Sequence, residues 1–481
     1  MGEILIGRKA EQAILQKALA SREAEMISVI GRRRVGKTYL VRKVYAEHII
    51  FELSGLQNLP AEDQLRNFTE QLNVFFTGNN FEVPVDWLDA FFLLARVLRE
   101  QKSKEKKVIF FDEVPWMATH KSKFLSGLSY FWNSWAVQQN VVVVICGSAA
   151  SWMIQKILRD TGGLHNRVTR RIRLRPFTLA ETKAFLLSRS IHFGNYELLQ
   201  LYMAMGGIPH YLKEIENGQS VAQNINRICF SEGGLLKDEF LSLYPALFKH
   251  ADYHVAIIRA LATRAQGLNR KDLVQTAKIG DSGRISKVLV ELEESGFITA
   301  YPNFGKKKKG KVYRLTDEYS TFYLRFIEPN LPETYDAWTN ISQTQSYKVW
   351  CGYAFENICL KHVPQIKKAL GISGVYTRSN SFFSKGNDYV PGVQIDLLID
   401  RNDRAINLVE IKFHDDVFTI TKAYAEQLRT KKRSFKSLTQ TRKHIFLTLI
   451  TASGVQPNDY SGILIDVTLK SDVLFEEVFY V

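Results

Sequence analysis

At 481 residues the chain exceeds what one hydrophobic core supports, and its length predicts about three domains. Hydrophobic residues at 46% and charged residues at 23% exclude a disordered class. The 64 Lys and Arg against 49 Asp and Glu leave a formal net charge of +15, which points to a polyanionic partner such as nucleic acid. Basic residues spread over solvated surfaces account for the same excess.

Cys146, Cys229, Cys351 and Cys359 show no CxxC pairing, and three of them sit in apolar or helical patterns. Buried thiols in a reducing compartment are predicted. The opening residues lack a basic region followed by an apolar stretch of signal-peptide length, and no run approaches the roughly 20 apolar residues that span a bilayer. A cytoplasmic location follows as the expectation.

In chain order, residues 1–177 alternate apolar strands (26–30, 49–53, 108–111, 141–146) with helical patterns (11–20, 88–98). Short apolar strands between helices predict a parallel sheet covered on both faces. Residues 178–247 read as mostly helical, with a Gly-Gly-Ile-Pro break at 206–209. Within 248–320, helices at 254–263, 270–276 and 284–295 precede strands at 297–301 and 312–315, the order of a winged helix-turn-helix. The region 321–481 opens on a connector around Pro329 and Pro332 and a helix at 347–362, then mixes strands and helices.

Gly31, Arg32, Arg33, Arg34, Val35, Gly36, Lys37 and Thr38 fit G-x-x-x-x-G-K-[ST] between a strand and a helix. Average residue usage yields this pattern by chance in roughly one chain of this length in fifty, so the match is informative. The glycines let backbone N–H groups close on phosphate oxygens, Lys37 would reach the β- and γ-phosphates of ATP, and the Thr38 hydroxyl would ligate Mg2+. The 108–111 strand ends in Asp112 and Glu113, one placed to hold the magnesium shell and the other to polarise the attacking water. Ser148, after the 141–146 strand, is a candidate γ-phosphate sensor, although an ordinary strand-to-helix turn explains it equally well. Arg167, ahead of Arg170 and Arg171, is the candidate for meeting transition-state charge; a solvated basic face is the alternative.

The opening Ile6-Gly7-Arg8-Lys9-Ala10-Glu11, the P-loop, Asp112-Glu113, the 174–177 Leu-Arg-Pro-Phe run and Gly206-Gly207-Ile208-Pro209-His210-Tyr211-Leu212 occur in order. Over residues 1–245 the chain resembles the archaeal-type ATPase family, allied to the AAA+ and STAND groups. The resemblance implies a P-loop NTPase core with a helical lid, in which Gly207 and Pro209 form a GxP element near the adenine. An arginine sensor typical of many AAA+ lids is not apparent. A homo-oligomer is compatible with it.

The presumed recognition helix carries Glu291, Glu293 and Glu294, which phosphates repel, whereas the wing carries lysines at 306–309 and Lys311. DNA contact and a rigid-spacer role both remain open for this segment.

In the C-terminal region, strands at 393–400 and 405–413 put Glu410 and Lys412 on one face and Ile411 on the other. Asp396, Glu410 and Lys412 suit a metal-dependent phosphodiesterase: two hard carboxylates for a metal and a lysine for the attacking water. Glu356 would add a second metal ligand or steady that water. A D…ExK spacing arises by chance about once in such a chain, so the strand context is what raises it. Phe355-Glu356, the 392–396 strand, Glu410-Ile411-Lys412 and Tyr424-Ala425-Glu426-Gln427-Leu428 resemble the PD-(D/E)xK restriction-endonuclease-like domain, with Ile395 where the motif's name has proline.

The fold class expected is therefore α/β: a P-loop parallel sheet with helical lid, a winged helix, and a nuclease-like α/β domain. The partners expected are ATP or ADP, and DNA held by the winged helix and cut by the C-terminal domain. A STAND-like switch whose C-terminal domain binds a partner without cleaving is the alternative.

Overall fold

The structure is a computed structural model that describes residues 4–78, 80–101, 105–119, 122–148, 150–158, 164, 166–248, 250–302, 304, 310–330 and 337–478. The lysines at 306–309, Ala149 and Pro332 lie outside the described residues. The chain divides into two compact units, Met1–Pro176 with Leu247–Lys249, and Phe177–Ala246 with His250–Val481.

The first unit is built on five parallel strands: β1 (Glu25–Ile30), β2 (Ile49–Ser54), β3 (Lys107–Asp112), β4 (Val141–Gly147) and β5 (Arg170–Arg173), in the order β2-β3-β4-β1-β5. Every residue of β1 and β4 is buried, which is why continuous apolar runs mark them in the sequence. The edge strand β5 reads Arg-Arg-Ile-Arg with only Ile172 buried, so no apolar run announces it. Helices Ala61–Phe75 and Phe124–Ser134, unassigned from sequence, cover the sheet with Trp87–Glu100. Their apolar faces bring Phe51, Phe68, Trp87, Phe91, Phe111 and Phe124 into edge-to-face contact, with ring centroids 4.7 Å apart for Trp87 and Phe124. Because the strands are parallel and in register at Ile30↔Gly147 and Phe111↔Ile145, their C-terminal tips share one edge.

The second unit begins with helices Leu179–Leu187 and Asn195–Met205, the latter ending at Gly206 (φ 65°) before the short helix Pro209–Leu212. Between 250 and 320 lie helices Asp252–Ala262, Arg270–Ala277 and Gly283–Glu294, with strands β6 (Leu268–Asn269), β7 (Ile298–Tyr301) and β8 (Val312–Leu315) in antiparallel order β6-β8-β7. The two-residue strand β6 is an element there that the sequence pattern did not indicate. Glu291 faces inward within this segment, its carboxylate 2.9 Å from His254 Nε2.

The stretch read as a connector is partly packed. Trp338, on helix Ala337–Ile341, is buried against Phe322, Phe326 and Tyr347. Beyond helix Gln345–Lys361 stands a second sheet: β9 (Thr377–Gly386), β10 (Pro391–Arg401), β11 (Ala405–Lys412), β12 (His444–Thr451) and β13 (Val467–Lys470), ordered β13-β12-β11-β10-β9. The β9, β10 and β11 pairings are antiparallel, and those from β11 through β13 are parallel. Helix Lys422–Thr439 packs on β10 through Ala425, Leu428 and Phe435. Among the described residues no helix is long and apolar enough to cross a membrane. All four cysteines are buried free thiols.

Candidate functional site

The first constellation forms where β1, β3 and β4 end. Gly31 leaves β1 so close to Leu174 that an added Cβ would sit 2.3 Å from its carbonyl oxygen, so only glycine fits. Gly36 has φ 90° and caps helix Lys37–Val44, the second point at which the loop demands glycine. The Lys37 ammonium is buried and donates to the Arg32 carbonyl at 3.1 Å, across the loop's own ring. Thr38 Oγ1 donates to Asp112 Oδ2 at 2.5 Å, although β4 separates β1 from β3. The sheet thus joins the two residues assigned to one magnesium ion.

Glu113 is held in the left-handed region at φ 47° and its N–H donates to Asp112 Oδ1 at 2.9 Å. Its own Oε2 accepts from Ser148 N (3.0 Å) and Ser148 Oγ (2.8 Å). Ser148, read as a phosphate sensor, stands here as the group that orients Glu113. Burial, then the Asp112 carboxylate, pushes the Cys146 thiol well up, so it stays protonated beside the site. Arg167 is exposed in a turn, its backbone N–H donating to the Leu164 carbonyl. Among the described residues its side chain has no hydrogen bond or ion pair to the P-loop. Arg170 pairs with Glu25 at 2.7 Å. Arg8, to which the sequence pattern assigns no role, is buried and donates to the Val35 carbonyl at 3.2 Å, bracing the loop from the N-terminal segment.

In the second unit, Gly207 lies where an added Cβ would meet the Phe177 carbonyl oxygen at 2.0 Å, and Phe177 N donates to the Gly207 carbonyl at 2.6 Å. Pro209 begins the following helix, where its missing N–H costs nothing.

The second constellation surrounds β10 and β11. Between Ile395↔Phe382 and Leu398↔Asn380, β10 advances three residues while β9 advances two, a bulge that contains Asp396. Asp396 Oδ2 accepts from Ile411 N at 3.0 Å. Glu410 and Lys412 share a face, as the alternation predicts, with Lys412 Nζ 3.8 Å from Glu410 Oε2. Two partners have no signal in the sequence pattern. Lys431, on helix Lys422–Thr439, places Nζ 2.7 Å from both Glu410 oxygens. Arg314, on β8, donates from Nη2 to Glu356 Oε2 at 3.3 Å and from Nε to the Ala265 carbonyl at 3.0 Å. Asp396, Glu410 and Glu356 are all buried.

Burial, reinforced by Asp396, raises the Glu410 carboxyl against the pull of Lys431 and Lys412. The same two causes push Glu356 up to about 7, with Arg314 opposing. Glu356 and Glu410 therefore face Arg314, Lys412 and Lys431, which meets the requirement that buried charge be paired, while Asp396 accepts from the Ile411 amide. Among the described residues no three His, Cys, Asp or Glu side chains converge as a metal cage.

Residues 5–215 match the family model for the ATPase domain predominantly from Archaea. The uncharacterized protein MJECL04 of Methanocaldococcus jannaschii is 24% identical over 419 residues, 86% of this chain and 88% of its own. Among solved structures, the Walker-type ATPase paby2304 of Pyrococcus abyssi shares 16% identity at a TM-score of 0.51, covering 67% of this chain and 96% of that one. The ORC2 protein of Aeropyrum pernix, in its ADPNP-ADP complexes, gives 16% identity and a TM-score of 0.43, with 71% and 96% covered. Residues 5–215 are thus similar to an archaeal-type ATPase domain, the α/β fold with a parallel five-stranded sheet agrees with the solved neighbour, and the family match supports ATP binding and ATPase activity.

Proposed function

We propose that the chain is an ATP-hydrolysing protein that acts on DNA, with nucleotide state controlling a winged helix at 248–320 and a nuclease-like domain at 321–481. The observation that carries the nucleotide part is the 2.5 Å contact between Thr38 Oγ1 and Asp112 Oδ2 beside the buried Lys37. Thr38 and Asp112 suit a hard divalent cation, which would supply neutralisation of charge developing on the phosphates. The P-loop amides cradle the phosphates and Lys37 turns from the Arg32 carbonyl to the γ-phosphate. Glu113, aimed by Ser148, takes the proton of the attacking water at Oε. Arg167 is the candidate for meeting the developing charge. The helices of 178–247 serve as the lid.

Asp396 and Glu410 carry the DNA-cleaving part. Glu410 already accommodates a cation at both oxygens, the Lys431 ammonium, so its surroundings suit positive charge. A divalent metal held there would polarise a phosphodiester; Lys412 and Glu356 would orient water in line with it. Lys311 belongs to the wing that meets backbone phosphates.

The test has two arms. ATP turnover is compared between wild type and Lys37→Ala, where a fall of about a hundredfold is expected; equal turnover removes Lys37 from the mechanism. Plasmid incubated with magnesium is compared among wild type, Asp396→Ala and Lys412→Ala. Cleavage lost only in the variants supports a nuclease. A second reading, a STAND-like switch without cleavage, draws on the engagement of Glu410 by Lys431 and of Glu356 by Arg314. No cleavage by wild type under varied nucleotide and metal selects it.

A further inference from the structure

A cavity of about 1300 Å3 lies within the second unit, between the 259–276 segment, helix Gln345–Lys361 and β9. It exceeds the roughly 300–1,000 Å3 typical of small-molecule sites, which favours a polymeric occupant.

The wall presents two exposed aromatic rings, Phe383 and Tyr353, and three exposed cations without an ion-pair partner among the described residues, Arg264, Lys385 and Arg325, the last donating to Ser346 Oγ at 2.5 Å. Arg259 and Glu328, also on the wall, neutralise each other at 2.5 Å. Asp272 is the one remaining acid, and Asn269 Nδ2 donates to it at 2.6 Å. Rings for stacking and cations for phosphates are complementary to unstacked bases on a backbone. A duplex keeps its base faces stacked on one another, so it cannot offer them to the rings of such a cleft. Asn357 directly follows Glu356, so the wall adjoins the carboxylate cluster.

We propose that this cleft is a binding groove for single-stranded DNA, with bases stacking on Phe383 and Tyr353 and phosphates paired to Arg264 and Lys385. This deepens the reading of the chain as DNA-acting and rests on it.

The full-length protein is titrated into labelled oligothymidylate, a labelled duplex and an oligouridylate, and anisotropy is followed over a salt series. Phe383→Ala is expected to weaken oligothymidylate binding about tenfold. The Arg264→Ala/Lys385→Ala pair is expected to flatten the slope of log affinity against log salt by about 1.4, two phosphates at roughly 0.7 each. All three substituted side chains are exposed, so unchanged melting curves serve as the folding control. Single-strand affinity unaltered in these variants, or a preference for duplex or for oligouridylate, overturns the proposal. Groove-dependent binding without plasmid cleavage retains the groove and removes the nuclease; cleavage with groove variants that bind normally does the reverse.

Discussion

Lys431 Nζ stands 2.7 Å from both carboxylate oxygens of Glu410, which is only 2% exposed, while the lysine side chain is 28% exposed. The pair is asymmetric: the acid cannot be rehydrated if its partner is lost, whereas the ammonium already meets water. Stripping one partner from a buried pair costs about 3–5 kcal/mol, and the partial exposure of Lys431 lowers this. Lys431→Ala should destabilise the protein by about 2 kcal/mol in urea unfolding. Adding Glu410→Gln should restore most of that loss, since a neutral amide needs no counter-charge. An additive double variant would argue against the pairing.

Thr38 and Asp112 are expected to act as one unit. Thr38→Val and Asp112→Asn should each reduce magnesium-dependent ATP turnover by about a hundredfold, and the double variant should be little worse than either. Phosphate release over a magnesium titration measures this. Multiplying effects would mean that the two residues serve separate steps.

The glycines of the P-loop should fail for different reasons. Gly31→Ala forces a Cβ to 2.3 Å from the Leu174 carbonyl oxygen, which the backbone must move to relieve. A Cβ on Gly36 meets nothing within 4 Å, so Gly36→Ala carries only the strain of φ 90°, about 1–2 kcal/mol. Thermal melts should show the larger loss for Gly31→Ala; equal melting temperatures would contradict the packing of β1 against Leu174.

His362 is buried neutral. Leu179 N–H donates to its Nε2 at 3.2 Å, so Nδ1 carries the proton and donates to the Ile358 carbonyl at 2.8 Å. Burial lowers its pKa from 6.5 to about 4. The unfolded chain therefore binds the extra proton first as pH falls, and stability drops between pH 6.5 and pH 4, levelling below that. The full difference amounts to roughly 3 kcal/mol. Urea unfolding at pH 7 and pH 4.5 should show a steeper loss for wild type than for His362→Gln. Parallel pH profiles would place the titration elsewhere.

Much of the first constellation is legible in the order of residues alone. Glycines at fixed spacing, an apolar run ahead of them and a helical period behind them act within a few residues, and the same holds for Asp112 at the end of β3. Strand β5 escapes notice because an edge strand of arginines lacks the apolar run that betrays a buried one. Arg8 escapes because a bracing role depends on where Val35 lies, 27 residues away. In the second constellation, alternation along β11 correctly pairs Glu410 with Lys412, yet its nearer cation, Lys431, belongs to a helix 21 residues on.

By itself the sequence determined the elements that local geometry dictates: the phosphate loop, the buried strands, and which face of a strand each side chain takes. Tertiary structure alone decided the partnerships of charge: Thr38 with Asp112 across an intervening strand, Glu113 with Ser148, Glu356 with Arg314, and Asp396 turned by a one-residue bulge. The physical reason is that propensity and periodicity act along the chain, whereas Coulomb attraction and desolvation act through space. Two groups 74 residues apart in sequence can therefore form a closer pair than neighbours.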